Sequence, residues 1–241
     1  MPVTINYQSP IKPIEASCSF CLQWLLVTLL GFVASLFWIE IGERPDINMI
    51  EGIIGGTIIG LAQWLVLRRY LSSAWWWIIA SLLGWGVMGL SSFGFIGWFA
   101  PRTLRLFPRL VYGVVDGATL GLILGMAQWW VLRQYFSKAW GWIFANSLYW
   151  AIGLAVGWIV GGILRRFTHL FLSEVLGLGV TWMLVAGCTG ITLMRLLREV
   201  PKGNPLASIN KSLELYSRDL FKSLISVTPI GLSGIGLSSL L

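Results

Sequence analysis

The chain is short of charge, histidine and cysteine, and each shortage removes a class of protein. Only 11% of its 241 residues are charged, against roughly 25% in an ordinary soluble domain, too few to wet a globular surface. Three cysteines cannot staple a secreted disulfide scaffold. The single histidine, His169, excludes bis-histidine haem and leaves a chlorophyll without an imidazole at bilayer depth. All five lysines lie outside the apolar stretches, so a retinal Schiff base has no anchor. There is no H-E-x-x-H, no P-loop and no strand-borne G-x-G-x-x-G, and no Ser-His pair can form inside the apolar stretches. Neither an enzyme nor a cofactor is expected. The net charge of +7 reads as membrane topology and not as nucleic-acid affinity.

What is plentiful points one way. The chain is 56% hydrophobic, with 28 Gly and 15 Trp and a mean hydropathy of +0.78. That composition excludes disorder and describes a multi-pass membrane protein. Six stretches are long and apolar enough to be read as crossings: Phe20 to Ile39, Met49 to Leu67, Ala74 to Leu90, Val111 to Leu132, Ala139 to Ile163 and Leu176 to Leu197. Residues 1–19 hold three prolines and several polar residues, unlike a cleavable signal, and are expected to be retained.

Eleven of the 17 basic residues fall on the side shared by both termini, among them Lys12, Arg68, Arg69, Arg133, Lys138, Arg195 and Arg198. The opposite side holds Arg44, Arg102, Arg105, Arg109, Arg165 and Arg166, balanced by acids. The positive-inside rule therefore predicts cytoplasmic termini.

Self-similarity is the strongest single signal. Residues Gly56 to Ser81 match Gly121 to Asn146 at a constant offset of 65. The same offset carries Gly125 to Gly190 and Arg133 to Arg198, so the last apolar stretch reads as a degraded third copy. The first stretch supplies the other half, because WLLVTLLG from Trp24 is similar to WIIASLLG from Trp77 and WIFANSLY from Trp142. The prediction is an all-α integral membrane protein of six transmembrane helices, arranged as three parallel helix-hairpin repeats over 20–70, 71–135 and 136–198. An even number of crossings per copy makes the copies parallel, with a pseudo-threefold axis if they close into a ring. The connections around Pro101 to Leu110 and Arg165 to Ser173, apolar with interspersed arginines, are expected on the membrane surface.

The residues Gly56, Gly60, Gln63, Trp64, Leu67 and Arg68, and again Gly121, Gly125, Gln128, Trp129, Leu132 and Arg133, form G-x-x-x-G-x-x-Q-W-x-x-L-R. In this the chain resembles a group of bacterial, cyanobacterial-type multi-pass membrane proteins with tandem hairpins of that form, over roughly Cys21 to Arg198. The resemblance implies the architecture and a bacterial inner or thylakoid membrane. It carries no catalytic residue.

Glycines spaced by four, Gly52-Gly56-Gly60, Gly117-Gly121-Gly125 and Gly153-Gly157-Gly161, predict close helix packing in lipid, with room for a pigment, lipid or ion path as the other reading. Gln63 lies within about 20° of Gly56 around an ideal helix, so its amide points into that packed face. Counted outward from Ser72 and Ser137, Gln63 is level with Ser81 and Gln128 with Asn146; hydrogen bonds or a shared water are predicted within each pair. Glu51 and Asp116 are equivalent intramembrane acidic positions, 65 apart. For Glu51, Asn48-x-x-Glu51 reads as a capping-box-like helix start. Asp116 needs a partner such as Arg44, Arg102, Arg105 or Arg109, or else marks a site. Position 181 is Thr, which argues against a three-carboxylate site.

Nine of the 15 tryptophans, Trp24, Trp64, Trp75, Trp76, Trp77, Trp129, Trp130, Trp140 and Trp142, gather toward the cytoplasmic end beside Arg68 and Arg133 and are expected to form an interfacial belt. In the segment 199–241, an amphipathic helix over about 207–226 places Lys211, Arg218 and Lys222 on one side, suited to an anionic membrane surface or a membrane-protein partner. Cys18-x-x-Cys21 is a lone pair, read as two small residues at a helix start, with metal, redox or lipid attachment as alternatives. Cys188 reads as packing. The sequence thus favours a non-enzymatic scaffold or accessory subunit in the lipid bilayer. The rival is a small-solute or ion transporter using Asp116, Gln63 and Gln128.

Overall fold

The computed structural model describes residues 18–39, 41, 49–90, 98 and 100–198. Among these there are six helices and no strand: α1 (Cys18–Ser35), α2 (Met49–Leu67), α3 (Trp76–Leu90), α4 (Leu106–Leu132), α5 (Gly141–Thr168) and α6 (Leu172–Arg198). Five are long and apolar enough to cross a bilayer; α3 has 15 residues, about 22 Å of helix at 1.5 Å per residue against a hydrocarbon core of about 30 Å. The predicted C-terminal amphipathic helix with Lys211, Arg218 and Lys222 lies outside the described residues, as does the cap residue Asn48.

Each helix packs against its neighbours in sequence, and α6 returns to pack against α1. The distribution of side chains inverts that of a soluble protein. Leu22, Leu26, Leu30, Leu83, Phe144 and Leu148 face outward, while Thr28, Gln63, Ser81, Gln128, Asn146 and Thr181 are buried. An apolar exterior of this extent is unstable in water and suits hydrocarbon, where the polar groups must satisfy one another inside. The protein is a membrane-embedded helix bundle in contact with lipid.

Glycine sets the tightest interfaces. A Cβ at Gly113 would lie 2.6 Å from the Ala155 Cα, and one at Gly121 2.6 Å from the Ser147 Cα, so α4 and α5 touch backbone to backbone. Gly157, Gly161 and Gly177 do the same between α5 and α6. Small residues allow this approach, and van der Waals contact replaces the hydrophobic drive that lipid does not supply.

Two predicted connections take a different form. The segments around Pro101 to Leu110 and Arg165 to Ser173 were expected to lie along the membrane surface. Instead α4 begins at Leu106 and α5 continues to Thr168, leaving only His169, Leu170 and Phe171 before α6. Pro108 falls in the first turn of α4, where its missing N–H costs nothing. His169 ends α5 in the left-handed conformation, φ 57°, and its N–H bonds the Arg165 carbonyl at 2.9 Å. The helices extend because their glycine contacts continue outward to Gly113, Gly161 and Gly177, and because a buried ion pair between Arg109 and Glu174 consumes the charge that was assigned to a surface.

The turns after α2 and α4 are alike in detail. The backbone bonds made by the N–H groups of Arg68, Arg69, Tyr70, Leu71, Trp76, Trp77 and Ile78 recur at Arg133, Gln134, Tyr135, Phe136, Gly141, Trp142 and Ile143, each to the corresponding carbonyl. The two turns also touch, since the Ser73 N–H donates to the Tyr135 hydroxyl at 3.1 Å.

Candidate functional site: a polar layer between tryptophans

Residues four apart share a helix face, and three such triplets converge inside the bundle. They are Trp24-Thr28-Phe32 on α1, Trp77-Ser81-Trp85 on α3 and Trp142-Asn146-Trp150 on α5, and all nine side chains are buried. In each triplet a polar residue stands between two aromatic ones. Trp77 meets Trp24 and Trp142 edge to face, both with ring centroids 5.9 Å apart. At the other aromatic level Trp182 of α6 stacks on Phe32 at 5.3 Å and packs against Trp85 at 5.8 Å and Trp150 at 5.0 Å. Trp98 joins them, 4.6 Å from Trp85.

Between the aromatic levels the polar side chains find partners, but not those predicted. The Gln63 carbonyl Oε1 accepts from the Trp77 indole N–H at 2.9 Å, and its Nε2 donates to the Thr28 hydroxyl at 3.2 Å. The Gln128 Oε1 accepts from the Trp142 indole at 3.1 Å. Both indoles lie 14 residues after their amide partner. The third indole, Trp24, donates to the Thr189 hydroxyl of α6 at 3.1 Å. The direct side-chain bonds expected within Gln63–Ser81 and Gln128–Asn146 are not among the hydrogen bonds of the described residues, and indoles take the amide oxygens instead. Equal depth was counted along the helices, but the indole one turn closer to the connection reaches farther than a serine or asparagine. Asn146 instead donates to the Trp142 carbonyl at 3.3 Å. The Ser81 hydroxyl is buried without a hydrogen bond among the described residues.

The interfacial belt is corrected in the same way. Trp24, Trp77 and Trp142 are 1%, 0% and 1% exposed, because their N–H groups are needed at the centre. Trp75, Trp130 and Trp140 are exposed. The guanidinium carbons of Arg68 and Arg133 lie 5.0 Å from the ring centroids of Trp64 and Trp129. This cation–π geometry contributes about 0.5–1 kcal/mol at an exposed site.

A second polar site lies toward the other ends of the helices. Arg109 and Glu174, 65 residues apart, are 0% and 2% exposed. Arg109 Nη2 and Nη1 meet Glu174 Oε1 and Oε2 at 2.6 and 2.8 Å. Its remaining N–H groups donate to the carbonyls of Thr103 at 2.6 Å, Trp158 at 2.6 Å and Pro101 at 2.9 Å. All five guanidinium donors are matched. Arg165 approaches the same carboxylate at 3.5 Å. Sequence reasoning missed Glu174; the signal available was its position, 65 residues after Arg109 with the opposite charge.

Asp116 is half-buried on α4 and makes no hydrogen bond or ion pair among the described residues. Of its predicted partners, Arg109 is committed to Glu174, and Arg44 lies outside the described residues. Glu51 sits in the first turn of α2. Cys18 is exposed, Cys21 lies 3.6 Å from the Met194 sulfur and Cys188 is half-buried. Among the described residues no group of three or more His, Cys, Asp or Glu could hold a metal.

A cavity of about 20 Å³ lies within the polar layer, lined by Thr28, Gln63, Gln128, Asn146, Thr189 and the surrounding aromatic and aliphatic side chains. A site of that size holds about one water molecule. Comparison with family models, curated proteins and solved structures finds no match to the chain.

Proposed function

We propose that this is a non-enzymatic scaffold or accessory subunit of a bacterial inner or thylakoid membrane. In this reading it is built from three parallel hairpins at a 65-residue period, with six crossings and cytoplasmic termini. Kinship with the tandem-hairpin group is part of the same reading. The recurrence of the α2 and α4 turns and the shared Trp24, Trp77 and Trp142 positions support the repeat. The segment holding Lys211, Arg218 and Lys222 is proposed to meet anionic lipid or a membrane partner.

One observation carries the choice of scaffold over transporter. The carbonyl oxygens of the intramembrane amides Gln63 and Gln128 are taken by Trp77 and Trp142, and the cavity beside them has room for about one water and no continuous path. A conducting path needs polar groups that are free to exchange partners with the solute. The rival reading retains Asp116, whose carboxylate has no partner among the described residues.

Reconstitution into liposomes separates the two. The scaffold reading expects proton, monovalent-cation and small-solute fluxes equal to those of protein-free vesicles. Saturable flux that disappears in Asp116→Asn would establish the transporter. On the scaffold side, extraction into lipid-retaining nanodiscs should recover a stoichiometric partner or an enriched anionic lipid, lost when Lys211, Arg218 and Lys222 are neutralised.

A further inference from the structure

We propose that the bundle centre is a built binding site for a single water molecule, held between Gln128 on α4 and Asn146 on α5. The orientation of each amide follows from its partner's chemistry. An indole N–H can only donate, so the Gln128 atom facing Trp142 is its oxygen, and the Gln128 NH2 is left over. A backbone carbonyl can only accept, so the Asn146 atom facing the Trp142 carbonyl is its nitrogen, and the Asn146 Oδ1 is left over. Neither remaining group has another partner among the described residues. Gln128 and Asn146 are 8% and 2% exposed, yet both line the same cavity of about 20 Å³.

The chemistry of these groups selects the occupant. Gln63 also has its oxygen taken by an indole, so it presents N–H to this region and not a carbonyl. A cation would face amide N–H groups and no lining carboxylate. An anion would face the Asn146 Oδ1, and the nearest buried guanidinium identified, Arg109, is already neutralised by Glu174. A neutral molecule that accepts from Gln128 and donates to Asn146 matches both groups. The volume restricts it to water, which needs at least about 10–15 Å³ and two to four polar partners. The Thr28 and Thr189 hydroxyls that also line the cavity are already engaged, by Gln63 and Trp24. The water completes the polar layer across α4 and α5, where direct side-chain contact does not.

Crystals of the full chain grown from a lipidic mesophase, at a resolution that shows ordered waters, test this. One peak is expected within about 2.7–3.2 Å of both Gln128 Nε2 and Asn146 Oδ1, and its loss is expected in Asn146→Leu. An empty site, a direct Gln128 Nε2 to Asn146 Oδ1 bond, or a peak replaced by bromide on soaking overturns the proposal. If Asn146→Leu does not fold, the wild-type map decides alone. The outcome is independent of the flux measurement, because a conducting and a closed bundle are both able to hold this water.

Discussion

Arg109 and Glu174 form a two-pronged ion pair inside the bundle, with Nη2–Oε1 at 2.6 Å and Nη1–Oε2 at 2.8 Å. They lie 65 residues apart in the chain. The pair joins the start of α4 to the start of α6, and the Trp158 carbonyl ties α5 to the same guanidinium. Removing one partner leaves a buried charge without compensation, which costs about 3–5 kcal/mol in known cases, whereas removing both costs much less. Arg109→Met and Glu174→Met should each lower unfolding stability in detergent or bicelles by that order. The double variant Arg109→Met/Glu174→Met should lie closer to wild type than the two single losses added together. Strict additivity would show that the pair is not coupled.

Glycine substitutions should divide by what a new methyl group meets. At Gly117 an added Cβ lies 2.6 Å from the Trp150 carbonyl carbon, whereas at Gly187 it meets nothing within 4 Å. Gly117→Ala should force α4 and α5 apart, with a destabilisation of about 1–3 kcal/mol from overpacking. Gly187→Ala should be neutral or stabilising by up to about 1 kcal/mol, since alanine is the better helix former. Thermal unfolding of both variants in the same lipid mixture checks the contrast; equal effects would contradict the packing described.

The tryptophan–amide bonds and the Ser81 hydroxyl make an opposed pair of expectations. Trp142→Phe removes the donor and leaves the Gln128 carbonyl unmatched, a loss of about 1–3 kcal/mol. Ser81→Ala removes a buried hydroxyl with no hydrogen bond among the described residues, so it should unfold at the same temperature as wild type or higher. A large loss in Ser81→Ala would mean that its hydroxyl has a partner.

Orientation is open to chemical labelling. Cys18 is exposed at the start of α1. In a Cys21→Ala/Cys188→Ala background, a membrane-impermeant maleimide should modify Cys18 in inverted vesicles and not in intact cells. Modification from outside would reverse the proposed topology.

Much of the bundle could be read from the chain. Helix and lipid exposure are local consequences of composition and period, so α2 was located to the residue. The glycine stripes were read correctly as contact surfaces, because a residue without a side chain has the same meaning wherever its partner lies. Gln63 and Gln128 were read as inward-facing and in need of a bond, since an amide in hydrocarbon has no alternative. The indoles that take their oxygens were not foreseen, nor was the burial of Trp24, Trp77 and Trp142. Trp76 and Trp77, or Trp140 and Trp142, lie within two positions of each other in the chain, and only the turn of the helix decides which faces the core.

The amino-acid sequence alone determined that this is an all-helical membrane protein and which helix faces meet, because hydrophobicity and helical period are properties of each segment by itself. The tertiary structure alone decided that indoles take the glutamines, that Arg109 takes Glu174 and that Asp116 is left without a described partner. Such pairings depend on the rotation and depth of one helix against another, and a shift of one turn, about 5.4 Å, exchanges every partner.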